Sequence, residues 1–157
     1  MLSLFLRNLF FTILQPGLVA GLIPLWIVGF KMSHITDQTW QLQHYTGAII
    51  FVIGFVIMIW CIRSFAVKGR GTLSPADPTK KLVITGLYRL SRNPMYVGVV
   101  LILIGEAIYF HSTSLWIYVA AVFIMFNIFI VLVEEPRLRK DFGESYTSYC
   151  QSVRRWI

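Results

Sequence analysis

From Tyr45 to about Ala66 the chain is apolar throughout until Arg63. At about 1.5 Å per helical residue, such a stretch is long enough to cross a hydrocarbon core about 30 Å thick. The rest of the chain has to accommodate it. With 157 residues there is room for one domain, and at 57% hydrophobic and 13% charged the chain carries more apolar surface than a soluble domain of that size uses for its core. The expected class is an all-α integral membrane protein forming a single domain over residues 1–157.

Three further apolar runs bring the expected number of transmembrane helices to four. Leu9 to Phe30 is the first, and Pro16, Gly17, Gly21 and Pro24 within it predict a kinked or broken helix. Met32 to His44 is a polar connector in which Trp40 suits an interfacial anchor. Tyr96 to Phe110 and Leu115 to Val133 are the third and fourth spans, and the short gap His111–Ser114 makes them a C-terminal helical hairpin. From Glu134 onward the chain is charged, and Leu138, Phe142, Tyr146 and Tyr149 recur at helical spacing. They predict an amphipathic C-terminal helix, interrupted or capped near Gly143, lying along the membrane face.

The formal charge of +7 sits in the gaps between the apolar runs and forms no solvated basic face. That is a topology pattern, and it argues against a nucleic-acid groove. Apart from Lys31 and Arg63, which lies near the end of the second span, every Lys and Arg precedes the first span, lies between the second and third, or follows the fourth. Four spans with both termini in the cytoplasm satisfy the pattern, and the small loops suit a bacterial inner membrane. Cys61 in an apolar run and Cys150 in the tail fit neither a disulfide nor a metal site, and no Ser/His/Asp set or Walker loop is present. Pro16 and Pro24 interrupt what would otherwise mimic a signal peptide, so the N-terminal run is expected to be retained.

The chemistry concentrates in Gly86 to Gly98, G-L-Y-R-L-S-R-N-P-M-Y-V-G, a cationic and turn-prone stretch at the start of the third span. It follows a polar loop, Val67 onward, in which L-V-I-T-G forms one short extended piece. Asn93 and Pro94 read as the cap and first turn of a helix, whose free N–H groups suit a carboxylate or phosphate. The hairpin pairs Asn127 with Val97 and Glu134 with Leu90, so Glu134 and Glu135 face Arg89 and Arg92 on one side of the membrane. Such pairs can be interfacial anchors, or they can bind the cationic and anionic groups of a ligand. Tyr88 and Tyr96 are interfacial aromatics or a face for an adenine ring or a sulfonium. Glu106 is an ionisable group inside the third span, and His111 sits in the outer turn.

Together, the Gly86–Gly98 stretch and the later E-E-P-R-L-R-K-D-F-G-E-S-Y-T-S-Y resemble the integral membrane methyltransferases grouped as isoprenylcysteine carboxyl methyltransferase and phospholipid N-methyltransferase. The resemblance covers roughly Gly69 to Ile157. It implies S-adenosylmethionine as cofactor, held on the cytoplasmic side, and methyl transfer to a lipophilic small molecule or lipid. The cofactor contacts it implies are Lys80, Lys81, Leu82, Val83, Tyr88, Asn93, Pro94, Met95, Tyr96 and Glu134, with Glu135, Gly69 and Gly71 carried over from the phospholipid branch. Arg92, Tyr96 and Glu134 are the residues expected at the chemistry. Isoprenylcysteine enzymes usually have His where Asn93 stands, and an arginine where this chain has Ile130. N-P-M-Y and E-E-P resemble the phospholipid branch, and F-G-E-S-Y the carboxyl-methylating one. Sterol reductases carry a related R-H-P-N-Y type motif, so an NADPH oxidoreductase is the rival enzyme and a silent membrane scaffold the rival of another class.

Overall fold

The computed structural model describes residues 16–29, 41–64 and 82–157. Its regular structure is entirely helical, with no strand among the described residues. Helix α1 (Leu18–Val28) begins as a π-helical turn, Leu18–Leu22, and becomes α-helical from Ile23, with Pro24 in the first turn. The expected irregularity is present as a π turn, which runs directly up to Pro24, a residue with no N–H to give the helical ladder. Gly29 ends α1 in the left-handed conformation, its N–H reaching the carbonyls of Leu25 and Trp26. Trp40, expected as an interfacial anchor, lies outside the described residues.

Helix α2 (Leu42–Ser64) covers the apolar run that opened the sequence reading, beginning slightly before it. Helix α3 (Pro94–Tyr109) starts at the Asn-Pro pair, and a tight turn with His111 at φ 47° sends the chain back into α4 (Thr113–Phe129). Ser112 caps α4 by accepting from the Leu115 N–H at 3.4 Å. The fourth apolar run was expected to end at Val133, and the helix continues past that point. A π-helical turn, Ile130–Glu134, carries it directly into α5 (Glu135–Ser152). The expected break does fall at Gly143, whose φ of 52° and ψ of −125° interrupt α5.

Two of these helical stretches, Leu42–Ser64 and Thr113–Ser152, are long and apolar enough to cross a membrane, while Leu18–Val28 and Pro94–Tyr109 are shorter apolar helices. On α2 the buried face is His44, Gly47, Gly54, Met58 and Cys61, and Ile49, Val52, Val56 and Trp60 point outward. On α4, Leu115, Val119 and Val122 are inside while Ile117, Ile124 and Ile128 are exposed. Apolar residues on both the inner and outer faces suit a helix whose outer face meets lipid.

The closest contact in the bundle joins α2 to α3 through glycines. A Cβ at Gly54 would sit 2.7 Å from both Gly98 O and Ile102 N, and a Cβ at Gly105 would sit 2.6 Å from Phe51 N. Gly47 is equally confined, 2.7 Å from Tyr109 N. The two backbones therefore touch at two levels, and small residues are what allow helices to approach so closely. Met58, Val99, Ile102, Leu103 and Ala107 fill the space between these levels and α4. The Tyr118 hydroxyl donates to Val19 O at 2.9 Å, tying α1 to α4 at the π turn, where a carbonyl is released from the helical ladder.

Candidate functional site

Between α2 and α3, the chain from Leu82 to Ile84 is irregular, where one short extended piece was expected, and Gly86–Arg89 forms a 3₁₀ turn. Val83 and Tyr88 are buried against Cys61 of α2, with Ile57, Leu87 and Met95 packed around them. Leu82 is half-buried beside this group. Burial, and then the neighbouring Cys61 thiol, push the Tyr88 phenol well above its ordinary value, so it remains protonated. The Tyr88 carbonyl accepts a hydrogen bond from the Tyr149 hydroxyl of α5, which lies 3.5 Å from the Ser91 carbonyl as well. Tyr149→Phe removes that tie while keeping the ring. Loss of about 1–2 kcal/mol is expected, read as a fall of a few degrees in the unfolding midpoint in detergent.

The next residues turn the chain into α3. Asn93 occupies the N-cap position, but its side chain does not cap the helix as expected. Its Nδ2 donates to the Arg155 carbonyl at 3.1 Å, and its own backbone N–H goes to Ser91 Oγ at 3.0 Å. The reason is competition: a second chain segment, Val153–Ile157, lies against the turn and offers acceptors there. Pro94 is buried in the first turn of α3. The N–H groups that follow it have no partner within the helix, the ordinary condition of a helix start.

Tyr96 leads from α3 across to the end of the π turn. Its hydroxyl donates to Glu134 Oε2 at 2.9 Å, and its ring lies 4.7 Å from that of Phe126. The hairpin arithmetic paired Glu134 with Leu90 and Asn127 with Val97. The Tyr96–Phe126 contact agrees with the second pairing, while Glu134 meets Tyr96 instead of Leu90. Leu90 precedes the start of α3 at Pro94, so the level pairing of the hairpin does not extend to it, and the long Tyr96 side chain reaches Glu134 instead. Glu134 is half-buried, and among the described residues its Oε1 accepts no protein hydrogen bond.

Glu135 is differently placed. It is buried, and Arg155 holds both its oxygens through Nε at 2.9 Å and a terminal nitrogen at 3.1 Å. Arg92 approaches the same carboxylate at 3.3 Å and Arg139 at 3.8 Å. The hydrogen bond to Glu135 holds the Arg155 guanidinium even further above its usual range, so Arg155 stays cationic. Arg92 also donates to Cys150 Sγ at 2.7 Å. Arg89, expected to share the glutamates with Arg92, is exposed and forms no ion pair among the described residues.

Of the residues expected at the site, Tyr96 and Glu134 are joined directly. Arg92, Asn93 and Glu135 form a second group through Arg155, and Val83, Tyr88 and Met95 a third around Cys61. Lys80, Lys81, Gly69 and Gly71 lie outside the described residues. Sequence reasoning missed Tyr149, Arg155, Trp156 and Asn127. The Trp156 indole N–H donates to Asn127 Oδ1 at 3.1 Å, and its ring lies 4.9 Å from Phe123. Only Asn127, a lone amide in an apolar run, carried a readable signal.

Comparison with known proteins bears on this arrangement at two scales. A curated relative from Haemophilus influenzae, described as an uncharacterised protein, is 33% identical over 63 residues, which is 40% of this chain and all of the relative. No solved structure matches. Residues 42–145 match the family described as phospholipid methyltransferase, a stretch running from the start of α2 past the kink in α5 and containing both Tyr96 and Glu134. On that match the chain belongs to the phospholipid methyltransferase family.

Proposed function

We propose that this protein transfers a methyl group from S-adenosylmethionine to a lipophilic substrate at the cytoplasmic face of a membrane. The observation that carries the reading is the Tyr96–Glu134 hydrogen bond, which joins the start of α3 to the end of the apolar part of α4. In the same reading α1 to α4 are four membrane-spanning helices with both termini cytoplasmic. The outward-facing apolar residues of α2 and α4 and the basic segments between runs support this arrangement.

The residues present fit the methyl donor by chemistry. Glu134 offers a half-buried carboxylate with one oxygen unspent, suited to an ammonium group, and the first turn of α3 offers N–H groups suited to a carboxylate. Tyr88, Val83 and Met95 offer an apolar wall, and Lys80 and Lys81 complete the set implied by the family resemblance. When bound, S-adenosylmethionine supplies an electrophilic sulfonium methyl. The protein's part is alignment and exclusion of water. Tyr96 fixes Glu134 by hydrogen bonding, Phe126 fixes the Tyr96 ring, and Arg92 orients the substrate from the cytoplasmic side. Glu135 holds Arg92 in place, its own oxygens being taken by arginines. The exposed apolar faces of α2 and α4 would admit a lipid-borne nucleophile.

The direct test is transfer of labelled methyl from S-adenosylmethionine into a membrane lipid extract, followed by identification of the labelled species. Label is expected in a lipid fraction, and Tyr96→Phe is expected to lower the rate by about tenfold, since one hydrogen bond to a charged group is lost. Saturable NADPH binding without S-adenosylhomocysteine binding would transfer the site to an oxidoreductase. A folded wild-type protein that binds neither would be a scaffold.

A further inference from the structure

Arg155 stands at the junction of two strands of contact. Its carbonyl accepts from Ser91 Oγ at 3.2 Å and from Asn93 Nδ2 at 3.1 Å, while its guanidinium takes both oxygens of Glu135. Next to it, the Arg154 carbonyl accepts the Arg92 backbone N–H at 2.9 Å. Trp156 then anchors the segment on α4 through Asn127 and Phe123. A short run after α5 thus touches the turn before α3, the start of α5 and the C-terminal half of α4.

One atom in this network is unfinished. Arg92 Nε is buried and has no hydrogen-bond partner among the described residues, although the Arg92 side chain is otherwise held by Glu135 and Cys150. A buried donor left unpaired is costly, and a guanidinium N–H is best satisfied by an oxyanion. Glu135, gripped by the Arg155 fork, meets Arg92 through a terminal nitrogen at 3.3 Å and leaves Nε unpaired. The fork that fixes Glu135 therefore fixes Arg92 with one donor to spare.

We infer that Arg155 is a positioning residue that acts through Glu135 to hold Arg92 with its Nε–H ready for an oxyanion of a bound ligand. This rests on the methyl-transfer reading above. Two groups share the required chemistry, the carboxylate of the methyl donor and the phosphate of a lipid headgroup, and the experiment separates them.

Wild type, Arg155→Ala, Arg155→Lys and Arg92→Lys would be compared by S-adenosylhomocysteine calorimetry, by KM for extracted lipid, and by unfolding midpoint in detergent. If the oxyanion is the donor's carboxylate, Arg155→Ala and Arg92→Lys raise the Kd for S-adenosylhomocysteine by about tenfold or more. If it is a headgroup phosphate, the Kd holds and the lipid KM rises by a similar factor. In either case Arg155→Lys, which keeps the charge and loses the fork, recovers part of the loss. Variants that fold and leave both constants within about twofold of wild type overturn the inference alone, whatever the midpoint does. A folded wild type that does not bind S-adenosylhomocysteine overturns the methyl-transfer reading and this inference with it. Should Arg155→Ala fail to fold, Arg92→Lys carries the same comparison.

Discussion

Glu134→Gln is expected to weaken S-adenosylhomocysteine binding and lower kcat/KM for methyl transfer by about 10- to 100-fold, with the helices intact. The substitution is nearly isosteric, so Tyr96 can still donate to the remaining carbonyl oxygen, and the α3–α4 contact survives. What disappears is the negative charge. A hydrogen bond to a charged partner contributes about 1.5–3 kcal/mol, and each 1.4 kcal/mol is a factor of ten. Half-buried at the end of an apolar stretch, Glu134 is shielded enough from water for that range to apply, whereas a surface pair would be worth far less. Glu135→Gln gives a contrasting signature. Its carboxylate gathers Arg92, Arg139 and Arg155, so its loss leaves the two less exposed arginines without their shared partner. Stability in detergent falls together with activity. Calorimetry and an unfolding midpoint on both variants would distinguish them, and equal falls in the midpoint would contradict the division of labour between the two glutamates.

That division was only partly legible in the sequence. The apolar runs located the helices, because hydrophobic length is a strong and local signal, and the glycine in F-G-E marked the break in α5. The hairpin turn at His111–Ser114 was enough to bring Glu134 to the same end as the Gly86–Gly98 stretch. The partner was off by more than a turn, since α3 begins only at Pro94 and the pairing was carried past its start to Leu90. The Val153–Ile157 segment was invisible for another reason. It acts mostly through backbone carbonyls, which every residue has, so nothing in R-R-W-I announces that Arg155 accepts from Ser91 and Asn93. Asn93 shows the same limit, as its type suited an N-cap and a neighbouring segment took its side chain instead.

The glycines between α2 and α3 were also unread, although Gly47, Gly54, Gly98 and Gly105 are plain in the sequence. Each looked like one more small residue in an apolar run, and their meaning lies in the pairing of two helices. Gly54→Leu is expected to destabilise the protein by about 3 kcal/mol or more, lowering the unfolding midpoint by about 10 °C. The obstacles to its Cβ are Gly98 O and Ile102 N, both backbone atoms that no rotamer change can move, so the helices themselves must part. Gly17→Ala, where a Cβ meets nothing within 4 Å, is the control and should leave the midpoint unchanged. The two levels of contact also separate stability from activity. Gly47 and Gly54 are equally crowded, but Gly54 presses on Gly98, close to Tyr96, while Gly47 presses on Tyr109 at the far end of α3. Alanine at either position is expected to lower the midpoint to a similar degree. Only Gly54→Ala displaces the start of α3, and with it the Tyr96 hydroxyl from Glu134, so methyl transfer should fall further in that variant than in Gly47→Ala. Equal activity losses would mean that α3 moves as a rigid rod, and that the Gly54–Gly98 contact has no special hold on the site.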